Sequence, residues 1–335
     1  MMVNVNFYNN DNDYKQKILK NNYNIKVTEY DFIRYLVTLG SFYNKSISLN
    51  GFCFYYYLVK MALDNNNGIF TISDDYDNSE TTIKSFISYF IGSISAYAIA
   101  EKHYNLSYLF HLKDPIISNI NHFNPDKKRY PDYLGLYNNN FNMAYLIEAK
   151  GTNTSRLTQD TIVDAKYQVN SISSVDVKLD TTSYTIRNFE RHVIGTYFKR
   201  KELNFCDIDP EETGEVIYEF DARQKILMYY KNVMFLFLFY TTDCKEIKIE
   251  NIKYKFINFD GYKIGLNRDI FNCLVPYYSL DNFNKLHINF DYQNSTTKSD
   301  LFKDIFAISS EMYNNENYFE DNQSISLGKD GIIVF

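Results

Sequence analysis

The stretch "RYPDYLGLYNNNFNMAYLIEAKG", residues 129–151, holds two short apolar runs with an Asn-rich segment between them. The runs "YLGLY" and "MAYLIEA" are typical of strands, so we expect a hairpin whose turn covers residues 138–142. A Pro-Asp pair precedes the first run, and Glu-Ala-Lys ends the second. These charged residues form either a metal site or a salt bridge on the face of the hairpin.

The expected hairpin brings the charged residues together. Side chains alternate along a strand, so Glu148 and Lys150 share one face. If the hairpin turns about Asn140, Asp132 lies opposite Glu148, with Cβ atoms roughly 5 Å apart. Two carboxylates at that separation repel each other unless a cation or a proton lies between them. A hard divalent ion such as Mg²⁺ is the natural occupant, and Lys150 lies where it can orient a water and stabilise charge on a phosphate.

The motif has a known counterpart. Pro131-Asp132, a spacer of 15 residues and then Glu148-Ala149-Lys150 resemble the signature of the PD-(D/E)XK nuclease superfamily. The resemblance implies an α/β fold with a restriction-endonuclease-like core, a mixed sheet flanked by helices. The predicted order over residues 81–200, helix, strand, strand, helix, strand, is similar to that core.

The resemblance also implies roles for the motif residues. Asp132 and Glu148 are expected to be metal ligands, with the Ala149 carbonyl as a third, and Lys150 is expected to position the attacking water. The cofactor implied is Mg²⁺ or Mn²⁺. The alternative is that the three charged side chains form a partly exposed ion-pair cluster on an ordinary hairpin.

Two further residues match positions that the superfamily often uses. It commonly has an acidic residue in the helix before the first strand and a polar residue in the helix after the motif. Glu101 and Gln168 match these places. For both residues, the alternative is an ordinary position on a helix surface.

Apolar periodicity and turn residues divide the chain into three regions: an N-terminal mixed region at 1–80, the nuclease core at 81–200 and a C-terminal α+β extension at 201–335. The elements expected are a helix at 28–43 with Thr28 as N-cap, a loop or small hairpin at 64–80, a long helix at 81–114, a helix at 158–172 with Ile162, Ala165, Val169 and Ile172 on one face, and a strand at 191–198.

Composition favours a soluble, cytoplasmic protein. The hydrophobic fraction is 45%, but the longest apolar run, "VMFLFLFY" at 233–240, is too short to cross a membrane. The N-terminus lacks the basic and apolar pattern of a signal peptide. The cysteines lack the spacing of a metal or disulfide framework, which favours free thiols in a reducing compartment: Cys53, Cys206, Cys244 and Cys273.

The charge pattern predicts a local contact with nucleic acid. A net charge of −6 argues against binding by a general basic surplus. Basic residues do flank the motif, and we expect them to contact a polyanionic substrate: Lys127, Lys128, Arg129, Arg156 and Lys166. The acidic run "CDIDPEETGE" at 206–215 lacks EF-hand spacing and is predicted to be a solvated loop. None of the histidines forms a local ligand pair, so each is predicted to be structural or exposed.

These features predict a Mg²⁺-dependent nuclease that hydrolyses DNA. The expected setting is prokaryotic restriction or anti-phage defence. The protein is expected to act as a homo-oligomer or with a partner subunit, and not at a membrane. Serine hydrolase, P-loop and Rossmann motifs are absent from the sequence. One alternative is an RNase with the same core. Another is a non-catalytic nucleic-acid-binding or interaction subunit that keeps the fold.

Overall fold

The computed structural model describes residues 2–39, 47–66, 69–112, 120–121, 130–137, 140–210, 214–292, 300–313 and 324–335. Helices in these ranges are α1 Asp11–Gln16, α2 Glu29–Thr38, α3 Leu49–Lys60, α4 Asp74–Asp77, α5 Thr81–Lys102, α6 Gln159–Val169, α7 Ala222–Phe239, α8 Arg268–Leu274 and α9 Leu301–Tyr313. Strands are β1 Met2–Tyr8, β2 Asn21–Lys26, β3 Leu63–Asn66, β4 Ile69–Ile72, β5 Tyr108–His111, β6 Ile120–Asn121, β7 Tyr133–Tyr137, β8 Asn140–Gly151, β9 Ile172–Lys178, β10 Ser183–Ile186, β11 Phe189–Lys199, β12 Glu202–Ile208, β13 Val216–Asp221, β14 Lys245–Ile249, β15 Ile252–Phe259, β16 Tyr262–Asn267, β17 Tyr278–Leu280, β18 Leu286–Ile288, β19 Ser326–Leu327 and β20 Ile332–Val334.

A mixed sheet of nine strands positions the motif. Its main path is β2-β1-β12-β11-β8-β7-β5, and the β3–β4 hairpin joins it through β12. The hairpin strands β7 and β8 are antiparallel, β8 and β11 are parallel, and β11 and β12 are antiparallel. The fold is therefore mixed α/β, as the sequence predicted. Smaller sheets of four, five and two strands complete the described part of the chain.

Helices α5 and α6 cover opposite faces of this sheet beside the motif. A Cβ atom added to Gly151 would lie 1.8 Å from the Ser88 carbonyl oxygen of α5. The preceding residue, Lys150, projects to the other face, where its Nζ is 3.2 Å from Gln168 Oε1 of α6. The end of β8 is thus enclosed between the two helices.

Several predicted elements are confirmed. Thr28 caps α2 in a capping box with Asp31, so the predicted N-terminus is correct. Strand β7 has the predicted bounds, and β11 contains the predicted strand at 191–198. Helix α6 buries Ile162, Ala165 and Val169, whereas Ile172 begins β9.

The predicted long helix at 81–114 was wrong at its C-terminal end. Helix α5 ends at Lys102, and Asn105 then adopts a left-handed backbone with φ 61°. The chain continues as β5, which pairs antiparallel with β7. A short buried strand and a buried helix segment both show as apolar runs, so periodicity did not separate them.

The predicted turn at 138–142 was wrong over its C-terminal part. Strand β8 begins at Asn140, so the backbone at 140–142 is strand and not turn. The register shifts between Gly135 and Tyr137, which pairs Tyr137 with Asn140. Between the pair at Gly135 and the pair at Tyr137, β8 has three more residues than β7, and the pairing next to the motif keeps the predicted register.

The nine-stranded sheet contains segments from each side of the predicted core. Strands β1 to β4 come from residues 1–80, and β12 lies beyond residue 200. A separate sheet, β14-β15-β16-β20-β19, is built from residues beyond 240. Helix α5 is the one helix in the described ranges that is long and apolar enough to cross a membrane, but most of it is buried inside the protein, as in the core helix of a soluble protein.

Candidate active site

The register of the hairpin places Asp132 opposite Glu148, as predicted. Tyr133 pairs with Ile147, the next residues along the two strands. The Asp132 N–H donates to Glu148 Oε2 at 2.9 Å, and the Ala149 N–H donates to Asp132 Oδ2 at 3.0 Å. Each carboxylate is therefore held by a backbone amide of the opposite strand, which fixes the position of both side chains.

Lys150 and Gln168 complete the cluster. Lys150 Nζ lies 2.5 Å from Glu148 Oε1 and 3.2 Å from Gln168 Oε1. Gln168 lies in the last turn of α6, the helix that follows the motif. The structure thus brings together Asp132, Glu148, Ala149, Lys150 and Gln168, all of which the sequence had singled out.

The two carboxylates are buried, and the lysine beside them is partly exposed to solvent. Asp132 is 2% exposed and Glu148 is 0% exposed. The Lys150 side chain is 23% exposed. Buried carboxylates next to each other raise the free energy of the folded protein unless positive charge lies close by. Lys150 supplies one such charge, and a divalent cation at the carboxylates would reduce their repulsion further.

Asp132 and Glu148 are a carboxylate pair, the kind of donor set that Mg²⁺ sites can use. In the described part of the chain, no group of three or more His, Cys, Asp and Glu side chains could hold a metal ion. Mg²⁺ sites in enzymes commonly use only one or two carboxylates and keep several waters. Asp132 and Glu148 are the carboxylates that would hold the ion. Ala149 contributes its N–H to Asp132, and its carbonyl remains a predicted ligand.

The structure does not bring Glu101 to this cluster. Helix α5 contacts the motif at Gly92, where an added Cβ would lie 2.7 Å from the Lys150 carbonyl carbon. Glu101 lies about 14 Å further along the same helix axis. Its carboxylate accepts two hydrogen bonds from Arg34 Nη2, at 2.6 and 2.7 Å. Arg34 is fully buried and also faces Asp31 and Asp330, so Glu101 belongs to a structural ion-pair network.

Only two of the five predicted basic residues, Arg156 and Lys166, lie in the described part of the chain. Lys127, Lys128 and Arg129 lie outside the described residues. The Arg156 guanidinium lies 4.2 Å from the Tyr14 ring centroid. Lys166 Nζ lies 3.0 Å from Asp11 Oδ1. Both of these residues contact helix α1, and their contact with nucleic acid remains a prediction.

Sequence reasoning missed a second buried polar cluster. The run at 206–215 was predicted to be a solvated loop, but residues 206–208 belong to β12, and Asp207 is fully buried. Its Oδ1 lies 2.9 Å from His192 Nδ1 in the neighbouring strand β11. The alternation of apolar Leu203 and Phe205 with polar Asn204, directly before Cys206, was the available signal that a strand continued into the acidic run.

No protein-family model, no curated protein and no solved structure matches this chain. Functional assignment therefore depends on the chemistry of the residues that the fold brings together.

Proposed function

We propose that this chain is a metal-dependent phosphodiesterase that hydrolyses DNA. The observation that carries the proposal is the pair of buried carboxylates, Asp132 and Glu148, facing each other across a hairpin with Lys150 bonded to one of them. The resemblance to the PD-(D/E)XK superfamily supports it. The order α5, β7, β8, α6, β11 supports it too, because the resemblance implies helix, strand, strand, helix, strand; β5 and β6 lie between α5 and β7, and the β9–β10 hairpin lies between α6 and β11.

Each residue of the cluster has a distinct role in the proposed reaction. Asp132 and Glu148 would hold Mg²⁺ or Mn²⁺, and the backbone amides of Ala149 and Asp132 keep the two carboxylates in place. When bound, the ion would supply Lewis acidity, lowering the pKa of a water and stabilising the leaving oxygen. Lys150 orients the water and offsets negative charge on the phosphate. Gln168 holds the ammonium group of Lys150 at the site.

The proposed substrate and setting come from charge and resemblance. The net charge of −6 requires that DNA be bound through local basic residues, and those that flank the motif in sequence are Lys127, Lys128, Arg129, Arg156 and Lys166. Restriction or anti-phage defence in a prokaryotic cytoplasm, as a homo-oligomer or with a partner subunit, is the setting that the resemblance favours. RNA and a purely binding role are the alternatives that the experiment separates.

The proposal is tested by comparing nucleic-acid cleavage by wild type and by the Lys150→Ala variant. Plasmid DNA and single-stranded RNA are incubated with wild type and variant in Mg²⁺ and in Mn²⁺, and binding is measured on the same substrates. We expect DNA cleavage to slow by about 100-fold or more, because general acid–base and charge-stabilising groups contribute on that scale, while DNA binding persists.

Lys178→Ala is the matched control, because Lys178 is a largely exposed lysine paired with Glu219. It is expected to cleave at the wild-type rate. Cleavage of RNA alone would assign an RNase. Binding without cleavage by wild type in either metal would overturn the nuclease proposal and support a non-catalytic subunit.

A further inference from the structure

A cavity of about 530 Å³ lies on the sheet face opposite the carboxylate pair. His192, in its lining, pairs with Ile147 of β8, and Ile147 projects away from the face that carries Glu148. The volume is within the range of small-molecule sites, roughly 300–1,000 Å³. The lining residues that matter below are Tyr23, His103, Tyr145, Glu190, His192 and Asp209.

In the described structure, His192 is hydrogen-bonded through Nδ1, whereas its Nε2 has no hydrogen-bond partner. Its side chain is almost fully buried, and its Nδ1 lies 2.9 Å from Asp207 Oδ1. Tyr104 also donates to Asp207, through the other carboxylate oxygen. The buried Nε2 of His192 makes no hydrogen bond within the described part of the chain. A buried polar atom without a hydrogen-bond partner destabilises the folded protein, and a ligand that bonds to it would remove that cost.

The neighbouring charges define what this nitrogen offers. Burial lowers the pKa of His192, but the carboxylates of Asp207, Asp209 and Glu190 together raise it more, so the net shift is upward. When the ring is protonated, Nε2–H is a donor. Two carboxylates, the exposed Glu190 and the half-buried Asp209, also line the cavity and offer acceptors. Lys20 and Asn21 also line the cavity and offer donors, so the site combines several donors with several acceptors.

The walls of the cavity are largely flat rings. Tyr145 and His192 lie almost parallel, with centroids 5.8 Å apart and an interplanar angle of 14°. Tyr23 and His103 stack at 3.9 Å and 12°. Aromatic side chains of this kind bind planar heterocycles, including nucleic-acid bases, by stacking.

We propose that this cavity binds a nucleobase, with His192 Nε2–H donating to a ring acceptor, Glu190 and Asp209 accepting from the N–H groups of the base, and the tyrosine rings stacking on it. A base combines a planar ring with adjacent acceptor and donor atoms, which is the complement of this lining. The base can belong to a free nucleotide or to a nucleic-acid strand. The site needs no metal and lies across the sheet from Asp132 and Glu148, so the inference is independent of the proposed nuclease activity.

Calorimetric titration in EDTA tests the inference. The probes are the 5′-monophosphates of guanosine, adenosine, cytidine and uridine, together with a mixed-sequence single-stranded DNA oligonucleotide. We expect at least one probe to bind wild type, and His192→Gln to weaken that binding by about tenfold or more, the effect of losing one charge-assisted hydrogen bond. Binding by a mononucleotide identifies a free nucleotide as a ligand, whereas binding by the oligonucleotide alone identifies a base within a strand.

Two further variants keep the test decisive if His192→Gln fails to fold. Glu190→Gln changes an exposed carboxylate and is expected to weaken binding several-fold without altering the melting temperature. His287→Gln is the matched control, because His287 is an exposed histidine that bonds Asp281 at 3.0 Å. The inference is overturned if no probe binds wild type below about 1 mM, or if folded His192→Gln and Glu190→Gln both bind as wild type does.

Discussion

Asp132, Glu148 and Lys150 lie within one hairpin, so their mutual geometry depends only on strand alternation and register. The observed pairing of Tyr133 with Ile147 is what the sequence predicted, and it places the two carboxylates together. Residues whose environment depends on distant segments were not predictable in this way. The Glu101 carboxylate is held by a hydrogen bond from Arg34 of helix α2. No local sequence pattern indicates this contact.

The ion pair of Glu101 leads to a prediction at the residue scale. Glu101→Gln removes the charge that Arg34 bonds most closely, while Asp31 and Asp330 still face Arg34. Loss of a charge-assisted hydrogen bond costs about 1.5–3 kcal/mol in the free energy of unfolding. Chemical denaturation measures this loss. Cleavage per folded molecule is expected to stay at the wild-type level, because Glu101 lies away from the carboxylate pair.

Glu246→Gln provides the comparison, since Glu246 is about half exposed and lies 4.0 Å from Lys255. We expect its cost to be at most about 1 kcal/mol, as for surface pairs. A Glu101→Gln variant of wild-type stability that loses cleavage would instead return Glu101 to the active site.

At the scale of helices and strands, the close contact between α5 and β8 sets the position of the motif. Gly92 and Gly151 lack the Cβ atoms that would otherwise separate the helix from the strand. The sequence predicted both elements, but it did not predict their contact, because packing between a helix and a strand depends on side chains that meet only after folding. It also missed β5, whose apolar run looked like the end of the helix before it.

Gly151→Ala tests this contact. The added Cβ would lie 1.8 Å from the Ser88 carbonyl oxygen, so the helix or the strand must move. We expect a loss of about 1–3 kcal/mol in the free energy of unfolding, as for overpacked cores. Cleavage is also expected to fall, because Lys150 directly precedes the displaced residue.

Gly261→Ala separates the steric effect from a general glycine effect. Gly261 has a positive φ of 82° and no atom within 4 Å of an added Cβ. Its cost is therefore backbone strain alone, about 1–2 kcal/mol, and cleavage should not change. Equal cleavage by the two glycine variants would show that the contact with Ser88 does not position Lys150.

Across the whole molecule, the described structure connects the three regions that the sequence had divided. Arg34 belongs to the N-terminal region, its partner Glu101 to the predicted core, and its partner Ser326 to the C-terminal region. Strand β1 joins β12 in the sheet that also carries the motif. Pairing of this range has no signature in local sequence, so composition and periodicity predicted the elements without their assembly.

The central claim is that Asp132 and Glu148 form a divalent metal site for phosphodiester hydrolysis. The most direct measurement is calorimetric titration of Mg²⁺ and Mn²⁺ into wild type, Asp132→Ala and Glu148→Ala, with cleavage of plasmid DNA and single-stranded RNA and melting temperature measured on the same samples. We predict that wild type binds the metal and cleaves, and that each variant loses both while it remains folded. A wild type that binds no metal, with variants that lose only stability, would contradict the claim and leave the cluster as a structural ion pair.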